Sequence, residues 1–187
     1  MNRILLTICC VLLSWNASAL DLADVHLADT MKVGDTVLQL NGGGIRTKWF
    51  FKIYVGALYL TQKQTSAEAV IADEHVHRVA MYMLHGLGSK RLFDSLYEAL
   101  ENNHTPDELA ALDPQIQMMK QIFDAVKEVK PGDVIMLDYL PASGTRITVN
   151  GIERGDIPGA ALARALLKVW LGKHPVQEDL KKGMLGG

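Results

Sequence analysis

Beyond Cys9 and Cys10 the chain of 187 residues contains no cysteine. Both lie in an apolar stretch at the amino terminus, and neither stands where a lipoprotein signal would end. Disulfides, thiol catalysis and cysteine metal sites are therefore excluded from everything after it. Long hydrophobic runs are missing too. The stretch 4–13 is short for a membrane span, and nothing later reaches the roughly eighteen continuous apolar residues that a transmembrane helix needs. Nor is there an excess of positive charge, with 19 Lys and Arg against 21 Asp and Glu, so overall charge gives no drive toward nucleic acid. An acidic ligand would have to be met by a local positive site.

Catalytic signatures are equally scarce. Gly42-Gly43-Gly44 has the spacing of neither dinucleotide nor P-loop phosphate binding. No Gly-x-Ser-x-Gly turn or ordered Ser, His and Asp set supports hydrolysis. His75 and His77 lack a third ligand in the pattern, so no metal site and no cofactor is expected. Asp133, Asp138 and Asp156, dispersed near strand ends, read mainly as turn or cap residues.

What is present begins with an export pattern. Arg3 precedes the apolar stretch, and Asn16-Ala17-Ser18-Ala19 supplies small residues before Leu20, which predicts a signal peptide over 1–19 and a periplasmic destination. Cleavage there removes 19 of 187 residues and leaves 168, the size of one domain, over 20–187. It also removes Arg3, so that 18 basic residues face 21 acidic ones.

The mature stretch reads as strands, then helices, then strands, then a helix. Residues 35–40 predict a strand closed by a turn at the glycines, and 49–60 a long second strand, so that the two form a hairpin through Gly42-Gly43-Gly44. Residues 75–84 predict a third strand. A helix over 89–100 carries Leu92, Leu96 and either Ala99 or Leu100 on one face. Thr105-Pro106-Asp107-Glu108 is a capping box that opens a short helix, and Asp113-Pro114 opens another with Ile116, Met119, Phe123 and Val126 on its face. Val134 to Leu140 and Thr145 to Val149 predict antiparallel strands, Asn150-Gly151 a mirror-image turn, and 160–170 a closing helix. Gly186-Gly187 reads as a frayed end. Helices interrupting a sheet with antiparallel later strands define an α+β chain.

One constellation stands out. Arg46 lies between the glycines and a strongly apolar, aromatic strand, and arginine keeps its charge when desolvated, so its guanidinium needs an anionic or polar partner. That partner is either a ligand or a structural carboxylate. Tyr54 shares Arg46's face only if the hairpin geometry permits it, and Thr47 faces away from Arg46 in a regular strand.

The pieces Asn41-Gly-Gly-Gly-Ile-Arg-Thr-Lys, Phe50-Phe-Lys-Ile-Tyr-Val-Gly-Ala-Leu-Tyr-Leu, Lys130-Pro-Gly-Asp-Val, Gly144-Thr145 with Asn150-Gly151, and Val169-Trp-Leu-Gly172 with His174-Pro175 resemble, in this order, the bacterial chalcone isomerase-like proteins. These are related to plant chalcone isomerase and to plastid fatty-acid-binding proteins. The resemblance implies an open-faced β-sandwich, a large antiparallel sheet covered by helices, with a ligand cleft between them. In chalcone isomerase an arginine lies near the nucleophilic phenolate oxygen of a cyclising substrate, and Arg46 matches it. The enzyme's site threonine is matched by Tyr54, a departure that fills volume a flat two-ring substrate needs. In the fatty-acid-binding relatives an arginine and a tyrosine hold a carboxylate, and Arg46 and Tyr54 resemble that pair. The expectation is a non-catalytic binding protein for a small hydrophobic or amphipathic molecule, with Arg46, Tyr54 and Thr47 as ligand-binding candidates. The alternatives are an intramolecular lyase in which Arg46 and Tyr54 are catalytic, and a structural or protein-interaction module of the envelope.

Overall fold

The computed structural model describes residues 20–187, and the expected signal peptide lies outside the described residues. A short hairpin comes first, β1 (Leu20–Leu22) and β2 (Val25–Leu27). Then follow β3 (Thr30–Val33), β4 (Thr36–Lys48), β5 (Phe51–Leu60), α1 (Ala67–Ala72), β6 (His77–Met83), β7 (Leu87–Gly88), α2 (Ser89–Glu101) and α3 (Pro106–Val126). The chain continues through β8 (Glu128–Val129), β9 (Val134–Leu140), β10 (Gly144–Val149), β11 (Ile152–Ile157), α4 (Ala160–Leu171) and α5 (Glu178–Met184). Seven strands form one antiparallel sheet in the order β11-β10-β9-β6-β5-β4-β3. Helices cover one face, which is the expected α+β, open-faced architecture.

Alternation along each strand sends side chains to two different cores. Tyr54, Leu58 and Leu60 of β5 face the helices and join Met81, Ile135 and Ile147 of the sheet with Leu96, Met119, Leu166 and Trp170 above it. Val55, Ala57 and Tyr59, the intervening residues, point the other way and pack with Leu27, Leu38 and Leu40, beneath the β1–β2 hairpin. On that second side Arg78 donates twice to Asp138, at 2.5 and 2.7 Å, both residues being buried. Asp138 is thus half of an internal ion pair rather than a turn residue. Asp156 likewise holds Arg146 from the neighbouring strand, at 2.9 and 3.0 Å, while Asp133 does cap its turn by accepting from Lys130 N.

Two further expectations, about whole elements, are overturned. The glycines do not make the hairpin turn: β4 runs through them for 13 residues, and the turn is Trp49-Phe50, with Lys48 opposite Phe51. The glycines serve a close crossing instead. A Cβ on Gly42 would stand 2.1 Å from the carbonyl oxygen of Gly183, and one on Gly183 would stand 2.5 Å from that of Gly43, so α5 lies almost directly on the backbone of β4. The two short helices expected on either side of Asp113 are one helix, with Pro114 inside it. Proline inside a helix costs about 3 kcal/mol. The stripe of Leu112, Ile116, Met119 and Phe123 crosses it without a break, and burial of each such side chain returns about 1.5–3 kcal/mol, which outweighs that cost.

Other local readings hold. Thr105 and Glu108 cap α3 reciprocally. Asn150 and Gly151 both take positive φ, 53° and 75°, as a mirror-image turn requires. The first hairpin and α5 have no counterpart among the expected elements, and the carboxyl-terminal glycines, expected to fray, are instead tied back, Gly186 N to Gly183 O and Gly187 N to Lys182 O.

Candidate functional site

Between the helix-facing side of the sheet and helices α2, α3 and α4 lies a cavity of about 670 Å³. Its apolar wall comes from Ile53 and Met81 of the sheet, Leu92 and Leu96 of α2, Phe123 of α3 and Val169 of α4. Its polar groups include Arg46, Lys48, Arg91, Asp94, Glu98 and His174, all but Arg46 exposed. Arg46 is half-buried, and Tyr54 and Trp170 complete the inner wall.

Arg46 and Tyr54 are direct cross-strand partners. A regular two-residue hairpin would set Arg46 against Ile53, but β5 carries one extra residue between Lys52, opposite Thr47, and Tyr54, opposite Arg46. This bulge at Ile53 shifts the register by one and puts the tyrosine on Arg46's face. The carbonyl of Ile53 accepts from both Leu84 N and His85 N, which holds the bulge in place.

The guanidinium is used on one side only. Arg46 Nη1 donates to Thr47 O at 2.5 Å and to Gln177 Oε1 at 3.3 Å. Among the described residues Nε and Nη2 have no acceptor, and no carboxylate lies within 4 Å of the side chain. The internal ion-pair reading of Arg46 therefore finds no partner there, while the Nε and Nη2 edge, of the kind that can take a carboxylate bidentately, is open. Gln177, just before α5, does more than touch Arg46. Its Oε1 accepts from Thr47 N at 2.8 Å and its Nε2 donates to Ile45 O at 3.1 Å, so one side-chain amide satisfies the outer edge of β4 beyond the end of β3.

Tyr54 is buried, and its hydroxyl accepts the indole N–H of Trp170 at 2.9 Å. That bond leaves the phenolic proton free to donate, since no protein acceptor for it exists among the described residues. Burial pushes the phenol up to about 12, against the opposing pulls of the Trp170 hydrogen bond and the Arg46 charge. Tyr54 is accordingly a neutral donor beside a fixed cation.

Thr47 is not among the residues lining the cavity; its backbone N–H and carbonyl anchor Gln177 and Arg46. His85 packs its ring 5.3 Å from that of Phe51, outside the cavity. His75 bonds to Asp73, and His77 is buried against Tyr139 with ring centroids 5.1 Å apart. Among the described residues no group of three or more potential metal ligands occurs. Gln177 was missed by sequence reasoning, because a glutamine 130 residues from Thr47 carries no local signal.

Fold and cavity together define an open-faced antiparallel-sheet protein with a helix-roofed, amphipathic cleft. The chain belongs to the chalcone isomerase-like family, whose sequence model matches residues 19–186. Among solved structures it is similar to a fatty-acid binding protein of Arabidopsis thaliana, with TM-score 0.67 and 15% sequence identity over 87% of this chain and 92% of that one. No curated protein sequence matches it.

Proposed function

We propose that the chain is a non-catalytic binding protein for a small amphipathic carboxylate such as a fatty acid. The observation that carries this reading is the unpaired Nε and Nη2 edge of Arg46, beside its cross-strand partner Tyr54 with a free phenolic proton, both lining the same amphipathic cavity. A carboxylate there accepts two charge-assisted bonds from the guanidinium and one from the phenol, and the tail gains the area term along α2, α3 and the sheet. A volume near 670 Å³ falls within the 300–1,000 Å³ typical of small-molecule sites. The fold shared with a fatty-acid binding protein supports the same ligand class. A periplasmic site of action is part of the proposal and rests on the export pattern of 1–19.

Native mass spectrometry of the exported protein tests it. A stoichiometric small-molecule adduct, identified after denaturation and lost in Arg46→Ala, supports the reading. A clean apo mass that stays clean after fatty acid is added overturns it. Turnover of an added unsaturated phenolic substrate with stereochemical bias would favour an intramolecular lyase instead.

A further inference from the structure

The turn joining β4 to β5 presents three consecutive aromatic side chains to solvent: Trp49 is 84% exposed, Phe50 96% and Phe51 59%. Neither core includes them. The turn itself gives no reason for them. Trp49 takes φ 62°, a conformation in which a bulky side chain is strained and which two-residue hairpins normally fill with glycine or asparagine. Exposed apolar area and backbone strain at one point mark a surface kept for contact rather than for folding.

The flanking charges indicate what is contacted. Lys48 and Lys52 bracket the aromatics, and every charged residue between Asp35 and Glu68 is basic: Arg46, Lys48, Lys52 and Lys63. Aromatic rings with lysines on either side match the boundary of an anionic bilayer, the rings entering at headgroup depth and the ammonium groups reaching phosphate. A protein partner fits less well. Three side chains on a two-residue turn fall short of the roughly 800 Å² per partner that a specific interface buries. Lys48 also lines the mouth of the cavity, so whatever the tip meets, the mouth meets.

We propose that the Trp49-Phe50-Phe51 tip, with Lys48 and Lys52, is a docking element for anionic phospholipid bilayers that brings the mouth of the cleft to the membrane surface. Direct exchange of an amphipathic ligand between bilayer and cleft is the purpose of that docking, and this clause rests on the function proposed above.

Flotation of the purified protein with vesicles of phosphatidylglycerol and phosphatidylethanolamine, compared with pure phosphatidylcholine, tests the docking with no ligand added. Expected are binding to the anionic vesicles that weakens as salt rises, and quenching of Trp49 by brominated acyl chains. The other tryptophan of the described residues, Trp170, is buried and stays shielded. W49G/F50S should lower vesicle binding about tenfold or more while leaving the melting temperature unchanged or raised, since glycine suits the turn. K48Q/K52Q should remove the preference for anionic lipid. The proposal is overturned if the anionic vesicles bring up no protein, if W49G/F50S floats like the parent, or if the tip instead mediates a concentration-dependent dimer that W49G/F50S abolishes. Docking without uptake of fatty acid from solution would leave this inference standing and sink the proposed function.

Discussion

Arg46 and Tyr54 face each other directly across β4 and β5, and a single extra residue, Ile53, makes them do so. The bulge lets a fixed cation and a neutral phenol share one cavity wall while the aromatic turn begins only three residues beyond Arg46. Both partners are oriented from afar, Arg46 by Gln177 and Tyr54 by Trp170.

Arg46→Ala should weaken binding of a long-chain fatty acid by about 10- to 100-fold, corresponding to about 1.5–3 kcal/mol for hydrogen bonds to a charged group. Binding of the corresponding fatty alcohol should hardly change, because the tail contacts are untouched. Calorimetric titration of both ligands into both proteins makes the comparison; an equal loss for acid and alcohol would mean that the arginine shapes the cavity rather than holding a carboxylate.

Tyr54→Phe removes the acceptor of a buried indole N–H, and stability should fall by about 1–3 kcal/mol. The wild type also carries a pH signature at this residue. Burial raises the folded-state phenol to about 12, above its ordinary value of 10.0. Between those two values the unfolded chain has lost the proton that the native protein still binds, so stability is whole below pH 10 and declines toward pH 12. The decline attributable to Tyr54 is roughly 2–3 kcal/mol. Urea unfolding at pH 9 and pH 11 should show it in the wild type and show less of it in Tyr54→Phe.

Gly42→Ala should destabilise by about 3 kcal/mol, because the new Cβ meets the backbone oxygen of Gly183 rather than a side chain that can turn aside. For a chain of this size that lowers the melting temperature by roughly 6–12 °C. Gly88→Ala, where a Cβ meets nothing within 4 Å, is the matched control and should shift it little. Thermal scans of the pair distinguish a packing requirement from a general intolerance of substitution.

Arg78→Met leaves Asp138 as a buried charge without its partner, and about 3–5 kcal/mol of stability should be lost. The double variant Arg78→Met with Asp138→Leu should recover most of it. Denaturant midpoints of the single and double variants decide whether the pair is needed for stability or is replaceable by apolar packing.

Most elements of this fold were legible from local pattern. The capping box at Thr105, the Asn150-Gly151 turn and the apolar stripes of α2 and α4 are short-range signals whose physics lies within a few residues. The misread places are those where a distant element sets the outcome. Gly42-Gly43-Gly44 has the chemistry of a turn, and only the arrival of α5 explains why it lies in a strand. Pro114 has the chemistry of a helix start, and only the packing of the stripe across it carries the helix through. Asp138 lies near its strand's end, and only Arg78, 60 residues earlier, makes it an internal ion.

The same division holds for the site. Sequence alone determined that no thiol occurs among the described residues and that no phosphate-loop spacing is present, that the chain alternates into an α+β sheet, and that Arg46 beside an apolar strand calls for a polar or anionic partner, because composition, periodicity and the permanence of a guanidinium charge are local properties. Tertiary structure alone decided that Tyr54 is that arginine's neighbour, that Gln177 and Trp170 hold the two in place, and that the fork of the guanidinium stays open. Those relationships depend on one bulged residue and on hydrogen bonds spanning 116 to 132 positions. Such contacts form only once the helices have packed onto the sheet.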